Sequence, residues 1–277
     1  MKTFFRRTAI IMACLMLLPA QTDARKKRHM DKDKETGIVA HRGFWNCEEA
    51  GYARNSIAAL KCAQDEGFWG SEFDVNMTKD SILIVFHDSD VKGKKIEKHP
   101  YEKFADFRLE NGEPIPTIDA YLEQGKLHPE TMLVYELKKH STDQVEDTFV
   151  DLTIAKLEEH GLLDPRRVMF ISFSFHMCER LAQKLPGFTV QYLGGDRKPA
   201  KVKAAGISGI DYNHAILSIN KKWVGQALRK DMSVNAWTVN KDSVMVRMLE
   251  LGVEYLTTDN PLEARALLEE HGLKEKK

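Results

Sequence analysis

The stretch Ser71-Glu72-Phe73-Asp74-Val75 decides how this chain is read. In an extended strand, residues two apart share a face, so Glu72 and Asp74 point one way and Phe73 and Val75 the other. The next apolar run, Met132–Leu137, repeats the device: Glu136 and the following Lys138 share a face, and Tyr135 and Leu137 take the opposite one. Two strands with apolar groups on one side and charge on the other suit a closed sheet. Its outer face packs on helices and its inner face opens at one end.

Working outward, six more strand candidates appear: Ile38–His41, Val168–Ser172, Thr189–Leu193, Gly209–Tyr212, Val234–Val239 and Glu254–Thr257. Helical patterns separate most of them, among them Ser56–Glu66, Asp143–His160, His176–Leu185, Lys222–Lys230 and Ser243–Leu251, several stopping at glycine. Eight β-then-α units over this length predict an α/β fold, a (β/α)8 TIM barrel. A doubly wound open sheet shares the alternation. No Gly-rich phosphate loop follows the first strand, however, which weakens its dinucleotide-binding form. Ile82–His87 follows the second strand across Thr78-Lys79-Asp80-Ser81 and reads as a hairpin. Ser89–Pro116 is the one long insertion.

The 277 residues carry 41 Lys+Arg against 41 Asp+Glu, so no global charge draws the protein onto nucleic acid. Lys2, Arg6 and Arg7 precede the apolar run Ala9–Leu18, and small residues follow at Ala20 and Ala24. That order predicts an export signal over 1–24, with an apolar run too short for a stable membrane span. The mature protein is expected to begin near Arg25 and to be periplasmic or secreted. Lipidation at Cys14 is the lesser alternative, because Met12-Ala13 before it is a poor match. A charged, flexible spacer over 25–36, a barrel domain over 37–270 and a charged tail over 271–277 complete the expected organisation. Cys47, Cys62 and Cys178 show no metal-type spacing, and a Cys47–Cys62 bridge stays open.

Polar residues gather where the first three barrel strands end. Strand one closes in His41-Arg42-Gly43, and the hairpin closes in His87-Asp88. The acidic faces must look inward toward the mouth, since helices cover the outside. Three carboxylates converging there repel one another unless a cation sits among them. Oxygen-only ligation by Glu72, Asp74 and Glu136 suits Ca²⁺ or Mg²⁺ better than zinc. Two histidines beside such a site make a general acid/base pair, and Arg42 and Lys138 offer fixed positive charge to a phosphoryl oxygen. Singly, each of these signals is weak. A Glu-x-Asp is more often a solvated edge, and Trp237 and Phe173 are aromatics of a kind that usually just packs.

Together these residues resemble the glycerophosphodiester phosphodiesterase family from about Ile38 to Pro261. The resemblance is carried by Ala40-His41-Arg42-Gly43, Glu72-Phe73-Asp74, Val85-Phe86-His87-Asp88 and Glu136-Leu137-Lys138. Asn111-Gly112-Glu113-Pro114-Ile115-Pro116-Thr117, Ile171-Ser172-Phe173 and Ala236-Trp237-Thr238-Val239-Asn240 extend it. It implies a barrel with a small insertion and a divalent metal on Glu72, Asp74 and Glu136. It also implies His41 and His87 as acid and base, Arg42 and Lys138 on the phosphate, and Trp237 as a substrate contact. The route it implies uses the substrate's own glycerol hydroxyl as nucleophile, expels the head-group alcohol and hydrolyses a cyclic phosphate. The expected partner is a small phosphodiester.

One departure is plain: where the family carries a Pro-Glu-Asn-Thr-like stretch, this chain reads Ala53-Arg54-Asn55-Ser56. An acidic residue has become Arg54, which puts charge balance and substrate fit in the first loop in question. Three other functions compete. A lysophospholipase D- or sphingomyelinase D-like enzyme would use the same residues but need an apolar mouth, part of which Phe44-Trp45 would supply. A silent binding barrel has only Arg54 in its favour. A glycoside hydrolase would need two carboxylates but neither Lys138 nor a metal.

Overall fold

The computed structural model describes Met30 and residues 33–277. The expected signal over 1–24, Cys14 and most of the expected spacer lie outside the described residues. Eight parallel strands form the centre: β1 (Glu35–Ala40), β2 (Gly70–Met77), β3 (Met132–Leu137), β4 (Val168–Ser172), β5 (Val190–Tyr192), β6 (Gly209–Asn213), β7 (Ser233–Trp237) and β8 (Tyr255–Thr258). Each pairs with the next in chain order. The cylinder closes where β1 meets both β8 and β2, Val39 lying opposite Gly70.

The alternation of side chains places the site. On β2, Phe73 faces outward into the helix layer and packs on Tyr121 and Tyr135 at ring-centroid distances of 4.5 and 4.9 Å. Truncating so large a buried side chain costs about 3–5 kcal/mol. Its neighbours Glu72 and Asp74 therefore face the interior, and the register sets Asp74 beside Glu136 of β3. The inner floor is an apolar cluster of Val39, Trp69, Val134 and Met169, with Tyr255 stacked 4.3 Å from Trp69. Gly37 of β1 permits that stack, because a Cβ there would sit 2.6 Å from the Tyr255 ring.

Two expectations about the ends are corrected. Glu35 and Thr36, assigned to the flexible spacer, begin β1 and pair in parallel with Lys274 and Glu275 of the expected tail. Their charged character concealed this because the ladder uses main-chain groups alone. Arg265 locks the tail, donating to Glu275 at 2.9 and 3.1 Å, and Lys276 lies over the Trp69 and Tyr255 rings.

The hairpin strand is shorter than read, spanning Leu83–Val85 antiparallel to β2. His87 therefore lies in the loop beyond it. The insertion has its own small core, in which Ala53, Ile84, Ile96, Phe104 and Ile115 are buried. Among the described residues, no helix is long and apolar enough to cross a membrane.

Candidate active site

The loop after β1 is built around Glu72. His41 N donates to Thr258 O at 3.0 Å, continuing the strand by one residue. Arg42 and Gly43 then turn through positive φ, +58° and +76°, a conformation that costs energy in any residue but glycine. Gly43 is required there, since a Cβ would meet the Ala59 backbone at 2.7 Å. The turn aims Arg42 N at Glu72 Oε2 (2.8 Å) and Gly43 N at Glu72 O (2.9 Å). The Arg42 guanidinium reaches Asp74 Oδ2 at 3.4 Å.

Glu72, Asp74 and Glu136 are all buried, and each offers an oxygen within 4.8 Å of the others. Lys138 spans two of them, its Nζ lying 3.0 Å from Asp74 and 2.7 Å from Glu136. The three carboxyls respond differently. Burial, and then the charges of Asp74 and Glu136, push Glu72 well above the usual carboxylate range. Burial and Asp74 lift Glu136 to about 7 despite Lys138. Burial also acts on Asp74, but Lys138, His87, Arg42 and the Asn55 amide outweigh it and hold it at about 2.

Such a cluster stores repulsion that a divalent cation relieves. Glu72 Oε1 has no hydrogen-bond partner among the described residues although it is buried. Three carboxylates, with Glu72 Oε1 unpartnered, fit a hard ion held by Glu72, Asp74 and Glu136.

The strand ends are held from behind. Asn55 donates to Asp74 Oδ2 at 2.9 Å and accepts from Asp74 N at 3.1 Å. His140 accepts from Met77 N at Nε2, which leaves Nδ1 to donate to Lys138 O at 2.8 Å. Neither Asn55 nor His140 was singled out from sequence.

The two histidines have different surroundings. His41 Nδ1 pairs with Asp259 Oδ1 at 2.8 Å, so its Nε2 turns to the cavity, 4.0 Å from Glu72. Asp259 also accepts from Trp45 Nε1 (3.0 Å) and Asn240 (2.6 Å). These donors, His41 foremost, overcome burial and keep its carboxyl well below the usual range. The Asp259 carboxylate thereby fixes the tautomer of the His41 imidazole. Sequence reading missed Asp259. Its signal was the polar run Thr257-Thr258-Asp259-Asn260 closing the last strand. His87 Nδ1 pairs with the exposed Asp88 at 2.7 Å, and burial draws its imidazole below its ordinary value.

His41, Arg42, Glu72, Asp74, His87, Glu136, Lys138 and Trp237, the candidate acid/base, metal and substrate residues, all line one cavity of about 180 Å³. Its lining also includes Ile171, Leu193, Asp211 and Thr257. Trp237 donates from Nε1 to Asp211 O at 3.0 Å and stands edge-on to Phe173 at 5.5 Å. Phe173 is corrected: instead of simply packing it is 40% exposed at the mouth. Phe44 is not at the rim but buried against Phe68. Arg54 stacks over Trp45, 3.6 Å from the ring centroid. It lines, with Arg108 and Phe107, a second, open cavity that shares Arg42 and His87 with the first. Cys47 and Cys62 are free thiols, Cys62 being pushed up to about 12 by burial and by Cys47.

Comparison with known proteins bears on this geometry. The sequence model of the glycerophosphoryl diester phosphodiesterase family matches residues 41–263. A crystal structure of a glycerophosphodiester phosphodiesterase from Parabacteroides distasonis is 35% identical and superposes with a TM-score of 0.82, covering 86% of this chain and 98% of that one. A glycerophosphodiester phosphodiesterase of Bacillus altitudinis is 26% identical over 253 residues, 85% of this chain and 99% of that protein. An Oleispira antarctica phosphodiesterase, solved with the product sn-glycerol-3-phosphate, shares the fold at a TM-score of 0.70 and 19% identity over 85% of this chain and 97% of that one.

Proposed function

The chain belongs to the glycerophosphoryl diester phosphodiesterase family, and from that premise we propose that it hydrolyses glycerophosphodiesters to glycerol phosphate and an alcohol, with a divalent metal and a histidine pair. Membership makes it a phosphoric diester hydrolase. The observation that carries the finer reading is one cavity that brings the Glu72, Asp74 and Glu136 triad together with two cations and two histidines.

Glu72, Asp74 and Glu136 would hold the Ca²⁺ or Mg²⁺, which would supply positive charge to offset that of the phosphate. Arg42 and Lys138 orient the phosphate and stabilise the charge that builds on it. His41 Nε2, backed by Asp259, takes the proton of the glycerol hydroxyl as its oxygen attacks phosphorus. His87, which lines both cavities, gives a proton to the leaving alcohol. Water then opens the cyclic phosphate with the proton transfers reversed. Arg54, stacked on Trp45, adds a positive charge to the adjoining cavity, which Arg108, Asp88 and Glu110 also line.

The test is turnover of several glycerophosphodiesters by purified protein, with chelator and with Ca²⁺ or Mg²⁺ restored. Glycerol phosphate should form, stop with chelator and resume with metal. Absence of glycerol phosphate from every substrate overturns the proposal. We further propose export to the periplasm or medium, from the basic, apolar and small-residue order of residues 1–24. N-terminal sequencing should find a start near Arg25, and a retained Met1 on a cytoplasmic product overturns this.

A further inference from the structure

Asp211 is a fourth carboxylate inside the barrel, and neither the metal triad nor the proton transfers use it. It stands on β6 among the residues that line the cavity, 1% exposed. Its Oδ2 accepts from Asn235 Nδ2 at 3.2 Å, but Oδ1 has no hydrogen-bond partner among the described residues. Asn235 fixes the rotamer from behind, since its amide also donates to Thr257 Oγ1 at 2.8 Å and its Oδ1 accepts from Ala236 N at 2.7 Å. Burying a carboxylate with one oxygen unused is costly, and an apolar side chain would fill the same strand position without that penalty. Asp211 shares the lining of this cavity with the apolar Ile171, Leu193 and Trp237 as well as with Arg42, Lys138 and the metal triad.

Those surroundings restrict what can enter. Apolar walls favour a carbon skeleton, and a carboxylate repels phosphate. The phosphoryl group therefore stays at Arg42 and Lys138, and an uncharged polar group suits Asp211. Burial, and then the charge of Glu136, raise the Asp211 carboxyl well above the usual range. A hydroxyl, which both donates and accepts, pairs with this carboxyl whether or not it carries a proton. A glycerol arm has such a group beyond its reacting hydroxyl.

Resting on the phosphodiesterase reading, we propose that Asp211 is a specificity-determining residue whose Oδ1 binds the terminal hydroxyl of the substrate's glycerol arm. This seats the arm against Asp211 and directs the head group toward the second cavity, which Arg54 and Arg108 line. Asp211 thus reads the part common to all such substrates, and the second cavity receives the part that varies.

The test uses two substrates that keep the reacting hydroxyl: sn-glycero-3-phosphocholine and its analogue with propane-1,2-diol in place of glycerol, which lacks only the terminal hydroxyl. A site built to bind a hydroxyl rejects the analogue lacking it, so the wild-type ratio of kcat/KM should be roughly 10² or more. In Asp211→Leu that ratio should fall to within about threefold of unity, through a loss on the glycerol substrate. Asp211→Asn, which keeps shape and hydrogen bonding, should recover part of it. A wild-type ratio near unity overturns the assignment even if the variants fail to fold. So does a ratio unchanged in Asp211→Leu, or an equal loss on both substrates, which a purely structural carboxylate would produce. Failure of the wild type on both substrates overturns instead the phosphodiesterase reading on which this rests.

Discussion

Replacing Lys138 by methionine should reveal how the carboxylate cluster is balanced. The Lys138 ammonium lies 3.0 Å from Asp74 and 2.7 Å from Glu136, and its side chain is 15% exposed. Removing one partner of a buried pair leaves the other uncompensated and costs about 3–5 kcal/mol. For a domain of this size each kcal/mol lowers Tm by about 2–4 °C, so the metal-free variant should melt roughly 6–20 °C below the wild type. The loss should be smaller at pH 5.5 than at pH 8, because Glu136, already lifted to about 7 by burial and Asp74, can take up a proton. A divalent ion at about 100 times its Kd should return about 2.7 kcal/mol by mass action. Thermal unfolding followed by circular dichroism, in chelator and in millimolar Ca²⁺ or Mg²⁺, measures each part. A Tm within about 2 °C of wild type in chelator would refute the reasoning, as would a loss that neither metal nor acid reduces.

Asp74→Asn removes the carboxylate held most firmly ionised. It should weaken Ca²⁺ or Mg²⁺ binding and turnover together, and calorimetric titration showing undiminished affinity counts against the ligand assignment. His41→Ala and His87→Ala should each lower kcat by about 10² to 10⁴, and near-normal turnover in both defeats the mechanism. Asp259→Asn should lower kcat and shift the pH–rate profile while leaving KM close to wild type, since it acts through His41; an unchanged profile excludes that role. In chelator, stability should fall as pH rises from about 5 to 8. Glu136 binds its proton in the folded state up to about 7 and releases it near 4.3 when unfolded, so the folded state holds more protons across that window. A Tm that rises with pH there would contradict this, and saturating metal should flatten the slope.

The barrel was legible because its signal is local and repeated. Strands of alternating or apolar character followed by helical runs appear directly in the residue order, and the acidic inner face of β2 follows from the two-residue period once helices cover its outside. The extra pairing of Glu35 and Thr36 with the C-terminal tail was not legible. Main-chain ladders leave no mark on side-chain chemistry, and the two segments lie more than 230 residues apart in sequence. The six-residue helices Pro199–Ala204 and His214–Ile219 are likewise too short to show a period.

At the site, sequence alone determined the identities that touch strand ends: His41, Arg42, Glu72, Asp74, His87, Glu136, Lys138 and Trp237 lie in short motifs whose spacing sets their faces. Tertiary structure alone decided what stands behind and beneath them. Asp259 reaches His41 across 218 residues of sequence because closure sets β8 beside β1. Asp211 meets the cavity because β6 crosses the barrel from β2, although within its own strand it reads as one polar residue between apolar ones. A strand's period says which residues face inward. Only the closed cylinder says which of them face one another.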